Sequence, residues 1–250
     1  MEIVRSTYRG FGDAELALHR TGVGRPVILL HGLFSSAEVN WIKFGHARTL
    51  AEAGFEVFMP DLRAHGRSAH PHDPAAYPDD VLVQDLRALV DQLGLAAYDL
   101  GGFSLGARTV VRGVLAGLEP RRLVLAGMGV AGLAGWARRS SYFVDAIDKF
   151  GSFRPGDAAY VPQQFMKTMG VDRVAARLLL GSVDDTPAEA LDAITMPTLV
   201  VCGDNDRDNG SAPDLAKALP DARYVEVPGT HMSSVTKPEL GAAIAAFLAE

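Results

Sequence analysis

Short apolar runs alternate with amphipathic segments along most of the chain. Runs of strand length occupy residues 27–30, 55–59, 123–126, 199–202 and 224–227. Several contain consecutive apolar residues, as strands buried on both faces do. Between most of them apolar residues recur at helical spacing, in segments 47–53, 80–93, 105–118, 213–219 and 238–248. This alternation predicts an α/β fold, a mostly parallel sheet flanked by helices, while the first 20 or so residues favour an antiparallel lead-in.

One segment departs from the alternation. Residues 130–191 contain no clear strand but carry several aromatic side chains, partly at helical spacing. We interpret this segment as a helical lid, inserted after the sixth strand and lying over the carboxyl edge of the sheet. The core would then comprise residues 1–129 and 192–250. The alternative is a plain helical subdomain whose aromatic residues form only its own core.

Composition limits the classes of protein and partner. The chain has 250 residues, 48% hydrophobic and 22% charged, which suits a globular protein with one large core. A net charge of −6 argues against nucleic acid or an anionic membrane as the main partner. No apolar run approaches the ~20 residues that span a bilayer. Residues 1–5 lack the pattern of a signal peptide, so we expect a cytoplasmic protein. With Cys202 as the single cysteine, no intrachain disulfide is possible.

A serine lies between two glycines in Gly102-Phe103-Ser104-Leu105-Gly106. The short segment 98–100 before it is typical of a strand, and residues 105–118 after it of a helix. In a strand–turn–helix context the G-x-S-x-G pattern indicates a sharp turn that presents the serine hydroxyl, with glycines relieving backbone collisions. The Leu105 amide then opens a helix, where a developing oxyanion is stabilised. A glycine-rich loop with an incidental serine is the alternative.

A nucleophilic serine needs a base and a group that orients the base. His231 follows the strand at 224–227 through a Pro-Gly-Thr turn, at the sheet edge where sites gather. The segment 203–208 follows the preceding strand and offers three carboxylates, Asp204, Asp206 and Asp208. Position therefore supports an acid there, but the residues alone leave its identity open.

With these residues the chain resembles the α/β-hydrolase fold family, over nearly its whole length. Ser104, Asp206 and His231 stand in the family's order of nucleophile, acid and histidine, with Asp204 as the second choice for the acid. His31-Gly32 matches the family's HG motif, which implies that Leu33 supplies the second oxyanion amide beside Leu105.

The resemblance has two further features and one departure. Segment 61–68 resembles the family's loop after the next strand, although Ala64 stands where glycine is common. Trp41 fits a frequent aromatic position between these motifs. Relatives that displace halide or open epoxides carry aspartate at the nucleophile position, so Ser104 favours acyl transfer to water.

The resemblance implies a cofactor-independent serine hydrolase acting on a small to medium, largely apolar carboxylic ester. Such a hydrolase needs no metal, and its expected partner is a small-molecule ester substrate. Candidate substrate-binding residues are His31, Phe103, Trp136, Phe143 and Met232. Similar serine relatives hydrolyse carbon–carbon bonds of ring-cleavage products, which would need a lid cation such as Arg138, Arg139 or Lys167. Others act as small-molecule sensors. The oligomeric state stays open.

Three other patterns do not carry their usual chemistry. Residues 127–132 form a G-x-G-x-x-G, but no strand with a ribose-binding acid follows within the expected distance. The series Asp204, Asp206, Asp208 begins like a calcium loop, yet the sixth position is Asn209 and the twelfth Leu215. The histidines of segment 70–73 lack partner ligands at a useful spacing, so a solvated loop accounts for them better.

Overall fold

The computed structural model describes residues 2–250, and its centre is one eight-stranded sheet. The strands are β1 (Val4–Arg9), β2 (Glu15–Thr21), β3 (Arg25–Leu30), β4 (Phe55–Pro60), β5 (Asp99–Phe103), β6 (Leu123–Ala126), β7 (Thr198–Gly203) and β8 (Ala222–Val227). Their order across the sheet is β1-β2-β4-β3-β5-β6-β7-β8. Strands β1 and β2 pair antiparallel, and β2 pairs antiparallel with β4. All other neighbouring pairs are parallel, which confirms the predicted α/β class and its antiparallel lead-in.

Ten α-helices occur among the described residues. They are α1 (His46–Glu52), α2 (Val81–Leu93), α3 (Leu105–Leu115), α4 (Val130–Ala134), α5 (Trp136–Asp148), α6 (Tyr160–Met169), α7 (Arg173–Gly181), α8 (Ala212–Ala218), α9 (His231–Ser234) and α10 (Pro238–Ala249). The predicted helix 105–118 ends early, at Leu115, because the chain turns through Gly117 with φ +97°. No helix in residues 2–250 has both the length and the apolar character needed to cross a bilayer.

The central strands are buried on both faces, as their continuous apolar runs predict. Along β3, Ile28 and Leu30 belong to one hydrophobic cluster, whereas Val27 and Leu29 belong to the other. The first cluster contains α2, α3 and α8, and the second contains α1 and α10. The period-2 alternation of a strand thus places two cores on opposite faces of one sheet.

The connection between β6 and β7 carries four helices, α4 to α7, and no strand. It rests on the first hydrophobic cluster: Trp136 is buried there, and its indole N–H donates to the Leu180 carbonyl at 3.2 Å. Phe143 packs edge-to-face on Phe34, which lies after β3, with ring centroids 5.6 Å apart. The division into a core and a lid of residues 130–191 stays a prediction.

Candidate active site

Ser104 occupies the turn between β5 and α3 in a strained backbone conformation, with φ +52° and ψ −110°. Such angles are uncommon outside glycine and are held only where the surroundings demand them. The two flanking glycines allow the turn. A Cβ on Gly102 would overlap the backbone of Gly106, and one on Gly106 would overlap the Leu30 carbonyl. The serine is thereby raised at the carboxyl end of β5.

The three residues expected to form a triad are hydrogen-bonded in series. Ser104 Oγ lies 3.1 Å from His231 Nε2, and His231 Nδ1 lies 2.8 Å from Asp206 Oδ2. All three residues are buried. Asp204, the second choice for the acid, is exposed and instead accepts the Gly229 backbone N–H at 2.8 Å. The geometry suits a serine activated by an imidazole that a carboxylate orients.

The surroundings of Asp206 keep it ionised. Burial raises the pKa of its carboxyl, but hydrogen bonding and charge attraction from His231 bring the pKa below its usual range. The Asp208 backbone N–H donates to Oδ1 at 3.1 Å, and the Cys202 thiol donates to Oδ2 at 3.3 Å. Burial, together with the neighbouring Asp206 charge, raises the pKa of that thiol, so Cys202 stays protonated as a donor.

Leu33 and Leu105 carry the two backbone amides that are predicted to form an oxyanion hole. Both residues line the same cavity as Ser104, and neither N–H has an acceptor within residues 2–250. Leu105 is the first residue of α3, so its N–H lies at the positive end of the helix dipole. The residue after Leu33, Phe34, adopts φ +59°, and its own N–H donates to His65 Nε2 at 2.9 Å.

His31 does not contact the cavity, so its predicted role in substrate binding is wrong. Its ring is fully buried behind the Leu33 loop, where Nδ1 lies 2.8 Å from the Gly32 carbonyl. Nε2 accepts the Leu62 backbone N–H at 2.9 Å. Both ring nitrogens are therefore used to join two loops. The HG pattern places Leu33 in the cavity lining, but its histidine points away from the cavity. The oxyanion role of the Leu33 amide stays a prediction.

A cavity of about 610 Å³ opens above Ser104. Most of its walls are apolar, formed by Leu33, Phe34, Val39, Phe44, Phe103, Leu105, Met128, Trp136, Phe143, Val161, Pro162, Phe165, Met232 and Val235. Four predicted substrate-binding residues are among them: Phe103, Trp136, Phe143 and Met232. Phe103 also packs on the His231 ring, with centroids 4.9 Å apart. Contact of these four with substrate stays a prediction.

Two polar residues of the cavity were missed by sequence reasoning. Asn209 is buried, and its Nδ2 donates to the Gly127 carbonyl at 2.7 Å while lying 3.5 Å from Ser104 Oγ. Its position in the loop that carries the candidate acids is the one sequence signal that points to it. Arg108, one helical turn after Ser104, is also buried and reaches the Gly132 and Leu133 carbonyls and Asp185. Burial lowers the pKa of Arg108 to about 10, which leaves it charged.

A second arginine, Arg139, lines the cavity from α5. Its guanidinium lies 5.5 Å above the Phe143 ring, and Nη1 donates to the Asp208 carbonyl at 2.5 Å. The other two lid cations considered, Arg138 and Lys167, are exposed and lie outside the cavity lining. Within the part of the chain that the structure describes, no three His, Cys, Asp or Glu side chains converge as metal ligands would.

Comparisons with known proteins agree with this architecture. Residues 25–123 match the family model described as the alpha/beta hydrolase fold. The AB hydrolase superfamily protein YisY of Bacillus subtilis is 28% identical over 225 residues, covering 79% of this chain and 80% of that protein. A 2-hydroxy-6-oxononadienedioate/2-hydroxy-6-oxononatrienedioate hydrolase of Pseudomonas putida is 28% identical over 228 residues, covering 78% and 77%.

Solved structures extend the likeness to the whole chain. The crystal structure of a hydrolase from Pseudomonas aeruginosa superposes with a TM-score of 0.76 at 25% identity, covering 98% of each chain. The sheet order, the serine turn between β5 and α3 and these similarities agree: the chain has the α/β-hydrolase fold.

Proposed function

We propose that this protein is a serine hydrolase that cleaves a small to medium, largely apolar carboxylic ester through an acyl-enzyme. One observation carries the proposal: the hydrogen-bonded series of Ser104, His231 and Asp206 ends in an apolar cavity beside two backbone amides without acceptors. A nucleophile, its base and two free backbone N–H donors thus line one cavity, which supports acyl transfer.

Each residue has one task in the proposed reaction. His231 Nε2 takes the Ser104 proton as Oγ attacks the ester carbonyl, and Asp206 stabilises the imidazolium that forms. The carbonyl oxygen becomes an anion that the Leu33 and Leu105 amides stabilise. His231 then protonates the leaving alcohol, and the acyl group remains on Ser104. Water, deprotonated by His231, attacks this ester and releases the acid, which restores the serine.

The cavity limits the substrate by size and polarity. A volume of about 610 Å³ is in the range that holds a drug-sized molecule. Four of the lining rings, Phe34 and Phe44 from the chain between β3 and α1 and Phe143 and Phe165 from helices α5 and α6, favour apolar acyl or alcohol groups. Tyr142, Val161 and Met232 are exposed at its lining, so the apolar surface continues outward from the cavity.

Fluorophosphonate labelling with peptide mapping, beside a series of 4-nitrophenyl esters of increasing acyl length, tests the proposal. We expect labelling at Ser104 and turnover that peaks at one chain length. Ser104→Ala should fold normally and lose both the labelling and the ester turnover. Ser35→Ala provides a matched control, because Ser35 lines the same cavity without joining the triad. Ester turnover that survives in Ser104→Ala would refute the assignment.

A second candidate is hydrolysis of a carbon–carbon bond, in which the same serine attacks a ketone. The similarity to the Pseudomonas putida dienedioate hydrolase and the presence of Arg139 in the cavity favour it. Labelled Ser104 with negligible turnover of every simple ester would favour this reaction, or a sensor that binds a small molecule without rapid turnover.

A further inference from the structure

Arg139 is a partly buried cation that lacks an anion. Every other arginine that is not exposed has a carboxylate within 4 Å: Arg25 with Asp99, Arg63 with Asp85, Arg108 with Asp185, Arg112 with Asp80 and Arg122 with Glu250. Arg139 has none among residues 2–250, and the Asp208 carbonyl is its one hydrogen-bond acceptor there. A guanidinium carries five N–H donors, so most of its capacity is unused.

Arg139 lines the cavity that contains Ser104. The Phe143 ring supports one face of the guanidinium, and the Asp208 carbonyl fixes one end. Asp208 directly precedes Asn209, whose amide reaches Ser104 Oγ. The guanidinium and the nucleophile thus contact two adjacent residues, Asp208 and Asn209, and all four residues line one cavity.

Neighbouring charges do not neutralise Arg139 fully. Two acids act on Arg139 from beyond 4 Å: Asp208, whose side chain is exposed, and Asp206, which is hydrogen-bonded to His231. Burial lowers the pKa of Arg139, and the attraction of these two acids only partly offsets this. Arg108 differs from Arg139, because it has a carboxylate partner in Asp185 and both of its Nη atoms donate to backbone carbonyls, which leaves only its buried Nε without an acceptor among residues 2–250.

We propose that Arg139 binds a carboxylate of the substrate, so that the preferred substrate of the proposed hydrolase is an ester carrying an anionic group on its acyl chain. This inference rests on the proposed function and specifies its substrate class. A planar guanidinium can bind a carboxylate through two parallel N–H donors, which fixes the substrate's direction as well as its charge. The apolar walls then contact the chain between the carboxylate and the scissile carbonyl.

Paired esters test the inference. The 4-nitrophenyl monoester of adipic acid and 4-nitrophenyl hexanoate share a six-carbon acyl chain and differ in a terminal carboxylate. We expect the native protein to favour the anionic ester, and Arg139→Gln to lower kcat/KM for it by at least ~10-fold while the neutral ester changes less than ~2-fold. Arg138→Gln, at the exposed neighbouring residue, should leave kcat/KM for both esters unchanged. Equal effects of Arg139→Gln on both esters, or none on either, would overturn the proposal.

Binding without turnover separates this inference from the proposed chemistry. Calorimetry on Ser104→Ala should show tighter binding of monomethyl adipate than of the neutral methyl hexanoate, and adding Arg139→Gln should abolish the difference. If Ser104 is not labelled by fluorophosphonate, the hydrolase proposal fails while this measurement still reports on Arg139. Equal affinity for monomethyl adipate and methyl hexanoate would refute the carboxylate site even in an active esterase.

Discussion

His31 and His65 join two loops reciprocally. His31, after β3, accepts the backbone N–H of Leu62, and His65, after β4, accepts the backbone N–H of Phe34, each at 2.9 Å. The two rings meet edge-on with centroids 5.1 Å apart. Each Nδ1 also lies within 2.9 Å of a carbonyl in its own loop, so both imidazoles are neutral with the proton on Nδ1. The loop that carries the Leu33 amide is thus held from both sides.

His65→Ala should reduce turnover without touching substrate. The change removes the acceptor of the Phe34 N–H, which helps to hold Phe34 at its positive φ. We expect the backbone N–H of the adjacent Leu33 to be misoriented as a result. Since removing one oxyanion donor outright costs about 10²- to 10³-fold in kcat, misplacing one should cost ~10-fold or more, with a smaller change in KM. Steady-state kinetics on the best ester measures this. The exposed His72→Ala is the control, and unchanged kcat in folded His65→Ala would contradict the role.

The buried histidines should make the fold sensitive to acid. Burial lowers the pKa of His65 to about 3 and also lowers the pKa of His31 and His46. In the unfolded chain these rings protonate near pH ~6.5. The unfolded state therefore binds more protons below ~6.5, and the free energy of unfolding should fall as pH drops through ~6.5 toward 3. Urea unfolding between about pH 7 and about pH 4 measures this loss, which should be shallower in His65→Gln. If the native protein and His65→Gln lose stability equally with falling pH, then His65 has the same pKa in the folded and unfolded states.

The sequence predicted most of the sheet and the three residues of the serine series. Consecutive apolar residues, as in 27–30, identify strands buried on both faces, and the spacing of Ser104, Asp206 and His231 after strands identifies one sheet edge. Side-chain direction was not predictable in the same way. Arg138 and Arg139 are neighbours in sequence, but their side chains diverge by about 100° around α5. Which of them lines the cavity and which is exposed therefore depends on how the helix is rotated in the tertiary structure. The turn after Gly203 likewise decides that Asp206 meets His231 and Asp204 does not.

That turn supports a matched pair of substitutions. Asp206→Asn should lower kcat by up to ~10⁴-fold, because the amide leaves His231 without a carboxylate to hold its tautomer and stabilise its charge. Asp204→Asn, two residues earlier and exposed, should stay within ~3-fold of the native protein. Ester turnover of the two variants under identical conditions measures the difference. Equal losses would mean that the loop presents the wrong acid.

Gly106→Ala should destabilise the fold rather than change its chemistry. The added methyl group would overlap the Leu30 and His31 carbonyls, where α3 passes closest to the end of β3. Because this neighbour is backbone, the clash cannot be relieved by a rotamer change, and we expect a loss of at least ~1–3 kcal/mol in the free energy of unfolding. Gly181→Ala is the control, since its Cβ would meet nothing within 4 Å. Urea denaturation of both variants measures the free energy of unfolding. Equal values for Gly106→Ala and Gly181→Ala would contradict the close approach of α3 to β3.

Asn209 should act on the acyl-enzyme more than on substrate binding. Its Nδ2–H groups face both the Gly127 carbonyl and Ser104 Oγ, so an N–H donor stands beside the oxygen that must leave as an alkoxide during deacylation. Asn209→Ala should therefore slow the steady state by ~10-fold while the burst of nitrophenol persists. Asn209→Asp should be slower still, since a carboxylate repels both oxygens. The exposed Asn205→Ala should match the native protein. A variant that loses burst and steady state in equal proportion would instead assign Asn209 to assembling the nucleophile.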